Sequence, residues 1–130
     1  MIGLDTNILV RFITQDDAKQ SAIVNRVIET ELNEKNQGFI SHVVIIELLW
    51  VLKYTYRQPK ESLILVLESL LATKQLMVYR ADLVYLALKK YRAGNADFSD
   101  ALILAVNEAA GCDRTVTFDN KAATIGMEKI

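Results

Sequence analysis

Histidine, cysteine and proline each occur once in these 130 residues, and glycine five times. The lone cysteine, Cys112, can neither close an internal disulfide nor hold a structural zinc by itself. This fits a reducing, cytoplasmic setting and excludes a cysteine-based metal centre. So few chain-breaking residues argue against a disordered or linker-rich polypeptide. An excess of one charge is also missing: fifteen Lys and Arg against sixteen Asp and Glu leave a formal net charge of −1. Overall positive charge therefore offers no handle for nucleic acid or an acidic membrane, and any such binding needs a local patch. Long apolar runs are absent as well. Residues 43–52 are cut by Glu47 and residues 63–67 are short, against the ~20 that a membrane span requires. Asp5 interrupts the first apolar residues with no basic stretch ahead of it, so no secretory leader is expected. There is no G-x-x-x-x-G-K-[ST] phosphate loop, no G-x-G-x-x-G and no G-x-S-x-G elbow, so nucleotide-binding and acyl-transfer functions lose their main support.

Hydrophobic residues make up 52% of the chain and charged residues 24%, enough apolar material for one core in a single domain spanning residues 1–130. Residues 1–4 read as a short strand, and Asp5, Thr6 and Asn7 can cap a helix starting near Ile8. Apolar residues at three- and four-residue spacing predict an amphipathic helix from Asp16 to about Lys35. Gly38, Phe39 and Ile40 form a short strand, Ser41 can cap a helix over 43–56, and Pro59 stops that helix. A helix over 60–73, a strand over 76–79 and a helix over 81–92 follow. Asp97 opens another helix that ends at Gly111, and Thr115 to Phe118 form a strand before a last short helix. Strands alternating with helices predict an α/β fold, a mostly parallel sheet covered on both faces. The 43–56 helix is apolar on nearly its whole circumference, so the face turned away from the sheet is expected to meet a second chain.

In such a fold, polar residues just beyond the carboxyl ends of strands are the ones to test. Asp5 follows the first strand and Asp119 the last, while Asp100 lies in the first turn of its helix. Glu47 stands among Val43, Val44, Ile45, Ile46, Leu48, Leu49 and Trp50. A carboxylate is costly to bury unless its charge is compensated, and its helix offers no Lys or Arg before Lys53. A cation shared with other acids would supply that charge; a partly exposed Glu at the sheet edge is the plainer alternative. Asp5 and Asp119 also fit as helix caps, and capping suits Asp97, three residues before Asp100. Carboxylates without histidine or cysteine partners select hard divalent ions, Mg²⁺ or Mn²⁺. Such ions activate water and steady charge on a phosphate, which makes phosphodiester hydrolysis the natural chemistry. His42, near a helix start, suits capping or packing rather than general base catalysis. A haloacid-type phosphatase would want a second acid two residues after Asp5, where Asn7 stands.

Four segments taken in order resemble a PIN domain, and most of all the VapC-like ribonuclease toxins of toxin–antitoxin pairs. They are Leu4-Asp5-Thr6-Asn7-Ile8-Leu9-Val10-Arg11, the apolar surround of Glu47, Ala96-Asp97-Phe98-Ser99-Asp100-Ala101-Leu102-Ile103, and Thr117-Phe118-Asp119. The resemblance implies a three-layer α/β/α fold with a mostly parallel central sheet of four or five strands. It also implies an RNA-cutting site in which Asp5, Glu47, Asp100 and Asp119 hold Mg²⁺ or Mn²⁺, with Asp97 a further candidate. Thr6, Asn7 and Thr117 would support the acids, and the short tail after Asp119 leaves little room for a last strand. A homodimer and an antitoxin partner follow from the same likeness. An antitoxin arginine entering the acidic site would neutralise the acids that otherwise take metal. Arg11, Lys53, Arg57, Arg114 and Lys121 are candidates for RNA binding around the site. A housekeeping RNA-processing nuclease and a PIN-type binding module without catalysis are the competing functions, and the presence of all four acids argues against the second.

Overall fold

Strands of two or three residues cannot stand alone; they persist where helices bury them and parallel neighbours satisfy their backbone groups. A computed structural model describes residues 1–130. The chain divides into two units, Met1–Tyr79 and Arg80–Ile130.

The first unit holds β1 (Ile2–Gly3), α1 (Thr6–Thr14), α2 (Ala18–Thr30), β2 (Gly38–Ile40), α3 (His42–Tyr54), α4 (Lys60–Ala72) and β3 (Leu76–Val78). The strands form a parallel sheet in the order β1-β2-β3. Ile2 pairs with Gly38, and Gly38 in turn with Leu76. Gly38 is where side chains crowd in: a Cβ there would lie 2.7 Å from Leu4 and 2.9 Å from Leu32. Leu9, Ile40, Ile45, Leu48, Leu52 and Leu67 are fully buried, and α1 packs on both α2 and α3. The sequence places the caps where they are found. Asp5 accepts from the Thr6 amide, Asp17 from Gln20 and Ser41 from Val44.

Two helix ends differ from the sequence expectation. The helix expected to reach Lys35 stops at Thr30, because Asn33 Oδ1 accepts from the amides of Lys35 and Asn36 and turns the chain there. Pro59 does not terminate α3; that helix is over by Tyr54, Arg57 follows with φ 54°, and Pro59 sits at the N-cap position of α4. The turn before it carries an ionic cluster. Arg11 donates to Gln20 Oε1 at 2.7 Å, to Asp16 at 3.2 Å and to the Tyr56 hydroxyl at 3.2 Å, while that hydroxyl donates to Asp16 at 2.6 Å.

The second unit holds α5 (Ala81–Ala93), α6 (Phe98–Ala109), β4 (Val116–Thr117), α7 (Asn120–Ala123) and β5 (Glu128–Lys129). α5 and α6 pack together, with Tyr91 and Phe98 edge to face at 5.8 Å. Leu104, Ala122 and Met127 form a small core with Ile125 against it. The tail was expected to lack room for a strand; instead Glu128 and Lys129 pair in parallel with Val116 and Thr117. Gly126, with φ 124°, turns the chain into that strand in a conformation favoured by glycine. All five strands are in parallel pairs, three in one sheet and two in the other. The α/β class therefore holds, but the expected single hydrogen-bonded sheet of four or five strands is replaced by these two.

Leu48 is completely buried, so Leu48→Ala should cost about 2–5 kcal/mol of stability, read from urea unfolding. Hydrogen bonds from Tyr56, then Thr14, hold the Asp16 carboxyl below its ordinary value of 3.8. A depressed carboxyl stabilises the fold above its unfolded value, and that stability is lost as pH falls through the folded value. Tyr56→Phe should therefore lower stability at pH 7 and narrow its gap to wild type in unfolding curves taken progressively below about pH 4.

Candidate active site

In the first unit the carboxyl ends of parallel β1 and β2 lie at one sheet edge, so the chain leaves both strands there and enters α1 and α3. Asp5 is the residue that turns β1 into α1, and its exposed carboxylate accepts from the Thr6 amide at 2.8 Å. Thr6 is only 5% exposed. Its hydroxyl donates to Glu47 Oε2 at 3.1 Å, so a buried donor on α1, the sequence neighbour of Asp5, holds an acid on α3. Asn7 is exposed on the first turn of α1.

Glu47 corrects the sequence argument. Of its two expected settings, a buried carboxylate with a shared cation or a partly exposed Glu at the sheet edge, the second is the nearer: α3 buries Ile45, Leu48, Leu49 and Leu52 and turns Glu47 outward with Val43, Trp50 and Tyr54. Its charge carries no large burial penalty. The chemistry at Glu47 rests instead on its location at the sheet edge and on the Thr6 hydroxyl.

The second unit gathers three aspartates. Asp97 occupies the N-cap position of α6, but its side chain makes no capping hydrogen bond, contrary to the role that spacing suggested. Asp100, in the first turn, is partly buried. Burial raises its pKa above the ordinary carboxylate value of 3.8, and the negative charges of Asp119 and then Asp97 raise it further, against a lowering hydrogen bond from the Asp97 backbone. Asp119 follows β4 and caps α7, accepting from the amides of Lys121 at 2.6 Å and Ala122 at 3.2 Å. Its own amide donates to Thr117 Oγ1 at 3.0 Å. The expectation that Asp5 and Asp119 double as helix caps is met in both cases.

As placed, no three or more His, Cys, Asp or Glu side chains enclose a metal ion. The donors that do stand near one another are oxygen atoms, which suit Mg²⁺ or Mn²⁺ better than zinc. A cation at Asp100 would also relieve the repulsion that raises its pKa.

The basic candidates differ in how committed they are. Arg11 is engaged in the Asp16–Tyr56 cluster. Arg114 donates to both carboxylate oxygens of Glu128 at 3.1 and 3.2 Å. The Lys53 ammonium lies 5.1 Å from the Tyr54 ring centroid. Arg57 and Lys121 are exposed. His42 matches its expected packing role, with Nε2 2.7 Å from the Tyr79 carbonyl and its ring against Tyr79. Phe118 carried no role in the sequence reading, because a β-branched and aromatic run suggests a half-buried strand. The strand ends at Thr117, and Phe118 is left in solvent.

An α/β chain with acids at strand ends and helix starts is a fold-level description that fits more than one function. The profile of the PIN domain family matches residues 2–126, and the chain belongs to that family. It is also similar to the VapC ribonuclease of Aquifex aeolicus (strain VF5), with 27% identity over 128 residues covering 98% of this chain and 93% of that protein. No helix is long and apolar enough to cross a membrane.

Removing a neighbouring charge should move Asp100. Asp119→Asn keeps the cap and should lower the Asp100 pKa toward 3.8, as read from carboxyl-carbon chemical shifts across a pH titration.

Proposed function

We propose that this chain is a Mg²⁺- or Mn²⁺-dependent endoribonuclease that hydrolyses RNA phosphodiester bonds, acting as the toxin of a VapBC-like pair. The observation that carries the reading is the crowding of Asp100 by burial and by Asp119 and Asp97, an arrangement that favours a bound cation. Family membership and the near full-length similarity to a VapC ribonuclease support it. Asp5, Glu47, Asp100 and Asp119 are the proposed metal-holding acids, with Asp97 as a further candidate. A bound divalent ion would supply Lewis-acid activation of water and charge stabilisation on the phosphate. The Thr6 amide holds the Asp5 carboxylate and the Thr6 hydroxyl that of Glu47, the Asp97 backbone steadies Asp100, and the amides of Lys121 and Ala122 hold the Asp119 carboxylate. Each acid is thus oriented by a group of the chain before substrate arrives, which spares reorganisation during reaction. Lys121 and Arg57, both exposed, are the cations best able to approach phosphates.

The partners belong to the same proposal. On α3, Val43, Trp50 and Tyr54 are exposed on the face that also carries Glu47, with the two rings 5.0 Å apart; these apolar side chains support a homodimer or an antitoxin contact through this face. A cytoplasmic location follows from the toxin role and from the exposed free thiol of Cys112.

The test is cleavage of a mixed RNA pool with Mg²⁺ or Mn²⁺. Wild type should cut and should stop when the metal is chelated. Asp5→Asn, Glu47→Gln and Asp100→Asn should each lose at least ~100-fold in rate while remaining folded. A folded, partner-free wild type that is inactive with every metal and substrate would overturn the proposal.

A further inference from the structure

Phe118 is the most exposed large apolar side chain of the protein, with 80% of its surface open to solvent. Its backbone is nevertheless held on both sides. The Thr117 carbonyl accepts from the Ile130 amide at 3.0 Å, and Thr117 Oγ1 accepts from the Asp119 amide at 3.0 Å. On the other side the Asp119 carboxylate accepts from Lys121 and Ala122, and the Asp119 carbonyl from the Ala123 amide at 3.1 Å. A phenyl ring is therefore presented on a pinned turn directly before one of the proposed metal-holding acids.

We infer that Phe118 is a base-stacking residue for single-stranded RNA, an assignment that rests on the nuclease reading above. The surroundings select this contact. Without a bound cation Asp119, Asp100 and Asp97 repel phosphates, so a strand near the metal-free site gains least from its backbone and most from its neutral bases. A phenyl ring has no hydrogen-bonding group and offers only its face, which every base can stack upon. In a duplex the base faces are already covered by neighbours, whereas loops and single strands present them open. Lys121, exposed three residues further on, is a cation that a neighbouring phosphate of the strand can approach. The contact reads strandedness and not sequence.

The test is fluorescence-anisotropy binding of a labelled single-stranded oligoribonucleotide in chelator at fixed salt, so that binding is measured without cleavage. Phe118→Ala should weaken binding about 5- to 150-fold, the range for loss of one base–aromatic stack. Phe118→Trp should restore it, and Phe118→Leu, apolar but without a π-face, should not. The matching duplex should bind weakly and respond to none of the three. Because the ring is exposed, each variant should keep the wild-type urea midpoint. Wild-type affinity in Phe118→Ala, rescue by leucine, or a wild type that binds no RNA would overturn the inference. So would a change confined to oligomeric state in sedimentation, which would make Phe118 a protein contact. Stacking that depends on Phe118 in a protein that cuts nothing with Mg²⁺ or Mn²⁺ would retire the nuclease reading and keep this one. Cleavage and binding both unaltered in Phe118→Ala would do the reverse.

Discussion

Carboxylates held near other carboxylates are the constraint on which the rest of this protein depends. Asp100 is partly withdrawn from water and faces the charges of Asp119 and Asp97, so its ionised form is disfavoured. The chain answers with hydrogen bonds to its acids, two of them at helix starts. Asp5 takes the Thr6 amide, Asp119 the amides of Lys121 and Ala122, and Glu47 the Thr6 hydroxyl. Amides at a helix start carry partial positive charge, which steadies an anion without adding a formal cation. A fixed lysine or arginine would quench the acids; amides and hydroxyls orient them and leave their charge for a ligand.

That arrangement explains why the strands are so short. β1 and β4 need only carry the chain to the point where Asp5 and Asp119 can turn it into a helix. Fully buried leucines and isoleucines of α1, α3 and α4 support the three-stranded sheet. The Arg11–Asp16–Tyr56 cluster ties the end of α1 to the turn after α3. Thr6 and Glu47 join the same two helices nearer their starts, so α1 and α3 are fastened at two levels and Glu47 cannot easily slide relative to Asp5.

The alternation of strands and helices, the caps at Asp5 and Ser41, and the helix start at Asp97 were legible in the sequence because each rests on local chemistry. The parts that were not legible depend on partners far along the chain. Glu47 looked buried because every neighbour in sequence is apolar, but only the packing of α3 decides which side of the helix faces water. Asp97 had the spacing of a cap, and spacing does not report whether the side chain turns back. The tail looked too short for a strand, since two residues carry no periodicity; β5 exists because Thr115 and Thr117 offer carbonyls to Glu128 and Ile130. Arg11 and Arg114 read as free cations until their acidic partners were in place.

The central claim is the proposal that acids of this chain hold a divalent ion. The most direct measurement is an amide NMR titration with Mn²⁺, whose unpaired electrons broaden signals near the bound ion. The account predicts that signals around Asp97, Asp100 and Asp119 broaden together, with a single midpoint, and that excess Mg²⁺ restores them. Broadening around one segment alone, separate midpoints, or no selective broadening would contradict it.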